Sequence, residues 1–295
     1  MKVTVITPFY EGDKYMDDYV DCMIKNKRAL TGAGHEMEVV LVNDSPWKRL
    51  EVPAAGSQFI RVITNQENKG IHYSRVAGLD AATGEYVMFL DQDDTISDDG
   101  LLQLLIAAIQ SGTSVQVANA NLQQSDGTML QWYRTAYHKS LIGDLQTYLT
   151  IGIQIISPGQ CLILAEAIPD FWKEHLVTVN GADDYYLWLL LLAQHNKFAY
   201  LDRPIYTHRY TGDNISADTT ATDDSIFDFL ELLQDCPYFA NEDIFTLHEM
   251  ITYKSQFRAS GIFGKVTSSL ANLNLFIKNV RFKRRTGTGL GFNRG

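Results

Sequence analysis

Residues 82–94 read Ala-Thr-Gly-Glu-Tyr-Val-Met-Phe-Leu-Asp-Gln-Asp-Asp, and they give the clearest indication of the fold class. Thr83-Gly84 closes a helical pattern, and 86–90 is a short apolar run typical of a buried strand. Three carboxylates follow within four residues. In open α/β sheets, ligands bind outside the carboxyl ends of the strands. The stretch therefore predicts a buried strand that ends in a binding turn.

The same alternation of strand and helix continues on both sides of this stretch. Apolar runs predict further strands at 3–7, 38–43, 59–64 and 115–120. Helical spacing predicts helices at 14–30, 71–82 and 101–110. Strands and helices that alternate at this pitch indicate an α/β fold, with a mostly parallel sheet flanked by helices on both faces.

The second half of the chain is less regular. Residues 121–181 show no clear period and predict a loop-rich section. An apolar helix at 183–194 and short strands at 198–201 and 205–208 are predicted next. Three helices are predicted at 224–235, 241–259 and 262–283. We expect a catalytic domain at 1–216 and a helical C-terminal extension at 217–295.

The composition of the chain argues against several classes of protein. The net charge of −10 disfavours nucleic acid as a partner, although residues after Glu249 include nine basic and no acidic ones. Three cysteines without a C-x-x-C pair argue against structural zinc and favour a reducing compartment. The longest apolar run, 185–193, is half of the roughly 20 residues that a membrane-spanning helix needs. We therefore expect a cytoplasmic protein without a transmembrane helix.

Asp91 and Asp93 are candidate ligands for a divalent cation. Strand alternation directs both carboxylates toward one side, and Mg²⁺ or Mn²⁺ prefers oxygen ligands that it shares with phosphates. Such an ion neutralises a diphosphate leaving group. The alternative is a solvated acidic loop that caps the next helix through Ser97 or Asp98.

Residues 68–75, Asn-Lys-Gly-Ile-His-Tyr-Ser-Arg, lead from a loop into a helix. Helix N-termini favour anions, so Asn68 and Gly70 are candidate donor-binding residues, and the forked guanidinium of Arg75 suits a diphosphate. The alternative for Arg75 is an ordinary surface position. The absence of G-x-G-x-x-G and of a P-loop at any strand–helix turn argues against dinucleotide and P-loop enzymes.

Three further positions carry candidate chemistry. Asp44, after a strand, has a carboxylate that can accept the imide N–H of uracil, and an Asx-type turn is the alternative. Asp183 and Asp184 open a helix and are candidates for a general base, whereas favourable interaction with the helix dipole is the simpler explanation. His208 follows a strand, and a structural histidine is the favoured interpretation.

These motifs together resemble the bacterial family 2 glycosyltransferases, which are inverting enzymes with the GT-A fold, a Rossmann-like α/β fold. The resemblance covers residues 1 to about 216. It rests on five segments that occur in the family's order and spacing: 5–12, 39–45, 68–79, 82–94 and 181–189.

The resemblance also implies residue roles. Pro8, Tyr10 and Glu11 line the nucleoside pocket. Asp44 reads the base and Arg75 binds the diphosphate. Asp91 and Asp93 correspond to the Asp-x-Asp pair, with Asp93 as the more direct metal ligand, and Asp184 takes the place of the catalytic base.

Two departures from the family pattern leave questions open. Asp183 stands where the family usually has Glu, so either carboxylate at 183–184 is a candidate base. The family often has His where this chain has Thr211, and His208 comes three residues earlier.

The function predicted from these features is transfer of a sugar from a nucleotide-diphosphate donor, a UDP-sugar, to a hydroxyl of a cell-surface glycan or lipid-linked acceptor, with Mn²⁺ or Mg²⁺. One alternative is a sugar-phosphate nucleotidyltransferase, which needs a Gly-rich loop where this chain has 8–11, Pro-Phe-Tyr-Glu. Another is a non-catalytic relative that binds a nucleotide sugar. The sugar, the linkage and the oligomeric state are not predicted.

Residues 262–285 form a basic amphipathic pattern. Apolar residues recur at helical spacing among the basic ones. Such a helix can lie in the headgroup region of an anionic membrane, here at the inner face of the plasma membrane. Packing of the apolar face on the main domain explains the same spacing. Both alternatives stay open at this point.

Overall fold

The computed structural model describes residues 1–124, 126–209 and 219–287, and in these ranges the chain forms two compact units. The first, called the sheet unit, comprises Met1–Trp132, Ser157–Leu176 and the described part of Asn196–Gly212. The second, called the helical unit, comprises Tyr133–Ile156, Val177–His195 and the described part of Asp213–Gly295.

All strands of the described ranges belong to one sheet in the sheet unit. They are β1 (Lys2–Phe9), β2 (Glu36–Asn43), β3 (Ile60–Thr64), β4 (Tyr86–Phe89), β5 (Thr95–Ile96), β6 (Val115–Gln123), β7 (Met129–Gln131), β8 (Cys161–Leu164) and β9 (Phe198–Arg209). The strand order is β3-β2-β1-β4-β8-β6-β9-β5, and β7 pairs with β6. The long pairings, β1 with β2, β2 with β3 and β6 with β9, are parallel. The predicted mostly parallel α/β sheet is confirmed.

The α-helices of both units are numbered here in chain order. Those of the sheet unit are α1 (Met16–Gly32), α2 (Ile71–Ala81), α3 (Gly100–Ser111) and α6 (Asp170–Glu174). Those of the helical unit are α4 (Ala136–Ser140), α5 (Leu145–Thr150), α7 (Asp183–Ala193), α8 (Thr219–Leu233), α9 (Asn241–Ala259), α10 (Ile262–Ala271) and α11 (Leu273–Thr286).

The sheet core and the approach of α2 fix the position of the binding edge. The inner strands are fully buried through Val5, Ile6, Met88 and Phe89. Gly78 of α2 faces Ile6 so closely that a Cβ at this position would overlap the Ile6 side chain. Because a glycine stands there, α2 lies directly on β1.

Several predicted boundaries were wrong, including the following three. Strand β1 continues past Pro8 to Phe9, because β4 pairs with β1 only as far as Ile6 and the missing N–H of proline is not needed on that side. The two short strands predicted at 198–208 are one strand, β9, with an irregular register against β6. The helix predicted at 262–283 is divided at Asn272 into α10 and α11.

Residues 121–181, predicted to be loop-rich, contain several short elements. Strand β8 inserts antiparallel between β4 and β6, with only two or three paired residues on each side. Elements this short do not contain a full period of alternation, which is why the pattern did not show them.

The helical unit has an aromatic core. Tyr186 stacks on Phe229 at a centroid distance of 5.6 Å, and the Lys254 ammonium donates to the Ile151 carbonyl. Helices α5 and α7, which the prediction assigned to the first domain, cluster with α8–α11 in this unit. The predicted boundary at 216–217 lies outside the described residues and stays a prediction. Across the described ranges, every helix is too short or too polar to span a lipid bilayer.

Candidate active site

The ends of β1, β2 and β4 bring three polar loops to one edge of the sheet. Asp44 N–H donates to the Phe9 carbonyl at 2.9 Å, and Leu90 N–H donates to the Ile6 carbonyl at 3.0 Å. The loops 10–12, 44–46 and 91–94 therefore begin side by side, as expected for the carboxyl edge of parallel strands.

An ion pair joins α2 to the acidic turn 91–94. Arg75 Nη2 donates to Asp91 Oδ1 at 2.7 Å, and the Arg75 side chain is 4% exposed against 30% for Asp91. Arg75 lies one turn into α2, whose close contact with β1 brings the guanidinium to the strand edge. The alternative of an ordinary surface arginine is therefore wrong. A desolvated guanidinium beside a partly exposed carboxylate places both signs of charge at this edge.

Asp93 is a carboxyl group in an unfavourable environment for its own charge. Burial, together with the negative charges of Asp94 and Asp91, raises the pKa of the Asp93 carboxyl to about 7. A cation at this position would favour the charged form again. The raised pKa of Asp93 thus reflects burial first and neighbouring negative charge second, and a divalent ion at this position would oppose both effects.

Asp94 anchors the acidic turn to the end of β9. Its buried carboxylate accepts hydrogen bonds from the Tyr206 hydroxyl and, at 2.9 Å, from Arg209 N–H. His208 Nδ1 lies 3.3 Å from Asp94 Oδ1. Burial, followed by the nearby carboxylates Asp94 and Asp91, raises the pKa of Tyr206, so the hydroxyl keeps its proton and serves as a donor. The structure therefore places His208 next to Asp94, whereas Thr211 lies outside the described residues.

Asp44 holds the loop that leads into α2. Its Oδ1 accepts from Asn65 Nδ2 at 2.7 Å and from Lys69 N–H at 2.8 Å, and its Oδ2 accepts from Gly70 N–H at 2.8 Å. Gly70 N–H also lies 3.1 Å from Asn68 Oδ1. In this structure the negatively charged group that accepts a hydrogen bond from Gly70 N–H is thus the Asp44 carboxylate. Roles of Asn68 and Gly70 in binding a donor stay predictions.

Gln92, the residue between Asp91 and Asp93, joins the acidic turn to the loop after β1. Its Oε1 accepts from Tyr10 N–H at 2.9 Å, and its Nε2 donates to the Tyr10 carbonyl at 3.0 Å. A Cβ at Gly12 would overlap the Gln92 amide, so a larger residue at position 12 would force this amide to move. The loop predicted to contact the nucleoside is therefore fixed to the loop predicted to bind the metal.

The loop after β1 also has an aromatic contact with the loop after β2. Tyr10 and Trp47, both exposed, meet edge to face at a centroid distance of 6.1 Å. Glu11 has a positive φ of 47° and donates its N–H to Ser45 Oγ at 3.1 Å. An L-residue in this region is uncommon, and the hydrogen bond helps to hold it there. Pro8 is the penultimate paired residue of β1, and Phe9, the last one, leads directly into this loop.

Asp183 and Asp184 lie in the helical unit, at the N-terminus of α7. Asp183 is buried, whereas Asp184 is half-buried and its Oδ1 accepts from Tyr185 N–H at 2.7 Å. The preceding Ala182 N–H donates to Ser225 Oγ at 3.0 Å. Of the two carboxylates, Asp184 is therefore the more accessible to a reactant.

The donor set suits a cation that is shared with a ligand. Within residues 1–124, 126–209 and 219–287, no group of three or more His, Cys, Asp or Glu side chains is arranged to hold a metal ion by itself. Mg²⁺ usually takes one or two carboxylates and completes its coordination with water and substrate phosphates. Asp91 and Asp93 match that arrangement in number and chemistry.

Residues 4–172 match the family model described as Glycosyl transferase family 2, which is more than half of the chain. The chain belongs to glycosyl transferase family 2. The resemblance recognised in the sequence is thereby confirmed.

Relatives within the family agree with this assignment. The chain is 32% identical over 110 residues to the succinoglycan biosynthesis protein ExoO of Rhizobium meliloti (strain 1021), covering 37% of this chain and 32% of ExoO. It is 24% identical to the Escherichia coli UDP-Glc:alpha-D-GlcNAc-diphosphoundecaprenol beta-1,3-glucosyltransferase WfgD, covering 66% of this chain and 71% of WfgD. The chain spans about a third of the length of the first curated relatives that it matches.

The fold comparison extends further along the chain than the sequence matches do. TarS 1-349 of S. aureus, solved in complex with UDP-GlcNAc, has a TM-score of 0.59 and 18% identity, and the match covers 94% of this chain and 79% of that chain. At this identity the likeness concerns the fold. The predicted GT-A fold is confirmed.

Sequence reasoning missed three contributors to the candidate site. Gln92 occupies the variable position of the Asp-x-Asp motif, where no residue type is expected. The coupling of Asp94 to Tyr206 spans 112 positions and had no local signal. Trp47 was detectable, because a tryptophan in a polar loop two residues after Ser45 is unusual.

Proposed function

We propose that this chain is a metal-dependent inverting glycosyltransferase that moves a sugar from a UDP-sugar to a hydroxyl of a cell-surface glycan or lipid-linked acceptor, in the cytoplasm. The observation that carries the proposal is the ion pair between Arg75 and Asp91 at the carboxyl edge, beside Asp93. A metal-bound diphosphate needs carboxylates for the ion and a cation for the phosphates, and this edge offers both.

Support for a uridine donor comes from the relatives and from Asp44. TarS was solved with UDP-GlcNAc, and the name of WfgD specifies UDP-Glc as donor and a diphosphoundecaprenol acceptor. An ionised carboxylate offers about four acceptor positions. Hydrogen bonds among the described residues occupy two acceptor positions on Asp44 Oδ1 and one on Asp44 Oδ2. One acceptor position on Oδ2 is therefore left for a uracil imide N–H.

In this proposal Asp93 and Asp91 would hold Mn²⁺ or Mg²⁺, which would supply positive charge to the leaving diphosphate. Arg75, desolvated and fixed by Asp91, is positioned to bind the phosphate oxygens. Pro8, Tyr10 and Glu11 border the nucleoside, held in place by the hydrogen bonds between Tyr10 and Gln92.

Asp184 is the proposed general base. Its carboxylate takes the proton of the acceptor hydroxyl. The acceptor oxygen then forms a bond to the anomeric carbon of the donor sugar, while the bond between that carbon and the diphosphate oxygen breaks. This single displacement inverts the anomeric configuration. The support is the greater exposure of Asp184 and its match to the family position.

Titration calorimetry tests the metal role. UDP is expected to bind with Mn²⁺ present and to lose most of its affinity in EDTA. Asp93→Asn should lower the Mn²⁺-dependent affinity about tenfold or more, since it removes a charged ligand. The matched control is Asp98→Asn, an exposed carboxylate paired with Lys25, which should bind like the wild type. Equal UDP affinity with Mn²⁺ and with EDTA would refute the metal role.

Turnover measurements test the base. Asp184→Asn should lower kcat by at least about 100-fold while the affinity for UDP stays nearly unchanged, because a base acts on the acceptor in the transition state. Asp183→Asn is the neighbouring control. If that variant loses turnover and Asp184→Asn keeps it, the base is Asp183.

A further inference from the structure

Helix α10 carries apolar side chains that the helical unit leaves in solvent. Ile262 is 82% exposed and Phe263 89%, and Val266 and Leu270 are also exposed. At about 100° per residue these four positions fall within roughly a 100° arc, so they form one continuous stripe. No residue of α10 is buried. In the part of the chain that the structure describes, all four side chains of this stripe are more than half exposed.

Helix α11 continues the stripe on one side and is anchored on the other. Leu273, Ile277 and Val280 are exposed and recur at helical spacing. The opposite side is buried in the helical unit, where Phe282 meets the His138 ring edge to face at 5.7 Å. The helix is therefore held in place with an apolar face turned outward. Within the helical unit, this outward face is not covered by another helix to the point of burial, since Leu273, Ile277 and Val280 all stay exposed.

Basic side chains border the open stripe. Helices α10 and α11 contain six Lys or Arg residues and no acidic residue. At about 100° per residue, Arg281 and Lys283 flank the α11 stripe on opposite sides, and Arg284 extends it toward the C-terminus. Arg285 instead lies over the Tyr137 ring at 3.6 Å, so it belongs to the anchored side.

We propose that the exposed stripes of α10 and α11 bind the surface of an anionic lipid bilayer. The apolar side chains would enter the boundary between headgroups and acyl chains, and Arg281 and Lys283 would reach the headgroup phosphates, as long basic side chains do at such boundaries. The inference rests on the helical unit alone and does not depend on the proposed transfer reaction.

Charge favours a lipid surface over a second copy of this chain. A symmetric contact through this face would bring two segments of six basic groups together without an acidic residue in either. An anionic bilayer has an apolar interior and a negatively charged surface. The apolar stripe complements the first, and the basic side chains beside it complement the second. A soluble partner with an acidic rim is the remaining occupant, and the experiment separates it from the bilayer.

Vesicle co-sedimentation with the full chain tests the proposal. The protein should pellet with vesicles of phosphatidylglycerol in phosphatidylcholine at low salt, should pellet less at high salt, and should stay in solution with phosphatidylcholine alone. Lys283→Gln with Arg284→Gln should lower the partition coefficient about fivefold per residue. The matched control, Arg28→Gln with Lys197→Gln, removes the same charge from exposed positions outside the helical unit and should pellet more strongly than the test variant.

A second variant tests the apolar stripe. The triple change Ile262→Ser, Phe263→Ser and Val266→Ser should abolish sedimentation, whereas Phe245→Ser, at a 62% exposed position on α9, should keep it. Thermal melting and UDP binding should be the same in both variants as in the wild type, since none of these side chains is buried.

Three results would overturn the proposal: wild type that stays in solution with anionic vesicles at low salt, a triple variant that pellets like the wild type, or light scattering that shows a wild-type dimer which the triple variant converts to monomer. Transfer to a lipid-free acceptor should be equal in wild type and triple variant, so this inference and the proposed function can fail separately.

Discussion

The acidic turn 91–94 and the helices α10 and α11 break the usual rules of burial in opposite ways. The turn removes charge from water: Arg75 and Asp94 are buried, and burial raises the pKa of Asp93. The helices leave large apolar side chains in water. Both arrangements are unfavourable in the isolated chain and become favourable with a partner of matching chemistry. The difference is that the charged side chains of the turn are hydrogen-bonded or ion-paired to their neighbours, whereas the apolar side chains of the stripe are exposed to solvent among the described residues.

The strongest expected effect comes from removing one half of the buried ion pair. Arg75→Met should lower the free energy of unfolding by about 3 kcal/mol, because it leaves the Asp91 carboxylate beside Asp93 and Asp94 without its guanidinium. Chemical denaturation at neutral pH in EDTA measures this change.

A double-mutant cycle separates the pair from the packing of the arginine stem. Adding Asp91→Asn to Arg75→Met should recover part of the loss, since it removes the unpaired charge. If Arg75→Met changes the free energy of unfolding by less than about 0.5 kcal/mol, the turn tolerates substitution as an ordinary surface does. The turn would then not differ from α10 and α11 in how strongly its side chains are held by neighbours.

Asp93→Asn should stabilise the metal-free protein. The unfolded chain ionises Asp93 near its ordinary pKa of 3.8, whereas the folded chain keeps the proton up to about pH 7. The wild type therefore loses stability relative to the variant as pH rises between these values, and the full difference is present above pH 7. The pKa difference corresponds to roughly 4 kcal/mol. Because the Asp93 side chain is only half-buried and solvent screens its charge, we expect a gain on the order of 2 kcal/mol at pH 8 in EDTA.

Denaturation at pH 4 and at pH 8 provides the check on Asp93. The two proteins should be nearly equal at pH 4, where Asp93 is mostly protonated in the folded state. A variant that is less stable than the wild type at pH 8 would mean that the charge of Asp93 is already compensated within the chain.

Gly12→Ala should lower the free energy of unfolding by about 1–2 kcal/mol, because the added Cβ meets the Gln92 amide. It should also weaken UDP binding, since Tyr10 is displaced. Combining it with Gln92→Ala removes the overlap and should restore most of the stability but not the affinity. If the double variant is as unstable as Gly12→Ala, the backbone conformation at Gly12 is the constraint instead.

Much of the turn was predictable from sequence because its signals are local. An apolar run, a carboxylate pair and a helix start each occupy a few consecutive residues, and parallel strands align their ends. The contacts of Gln92 with Tyr10 and of Tyr206 with Asp94 join residues 82 and 112 positions apart. Periodicity carries no information about such pairs, so the network that rigidifies the turn appeared only in the structure.

For α10 and α11 the amphipathic pattern was predictable from the residues, but the direction in which its apolar face points was not. The spacing of Phe263, Val266 and Leu270 is the same whether a stripe faces a core or a ligand. Only exposure distinguishes these cases, and exposure depends on what the rest of the unit supplies. The break at Asn272 was also not predictable, because two consecutive helices show nearly the same hydrophobic periodicity as one continuous helix.

The smallest expected effect is therefore the most informative about the stripe. Phe263→Ser should change the free energy of unfolding by less than about 0.5 kcal/mol, since the 89% exposed ring loses almost no buried area on substitution. Phe282→Ser is the matched change on the anchored side of α11 and should cost about 3 kcal/mol, because that ring is buried against His138. Thermal or chemical denaturation of both variants without vesicles measures the difference. A loss of more than about 1 kcal/mol for Phe263→Ser would mean that the ring packs within the protein, and the stripe would then be part of a core rather than a surface for lipid.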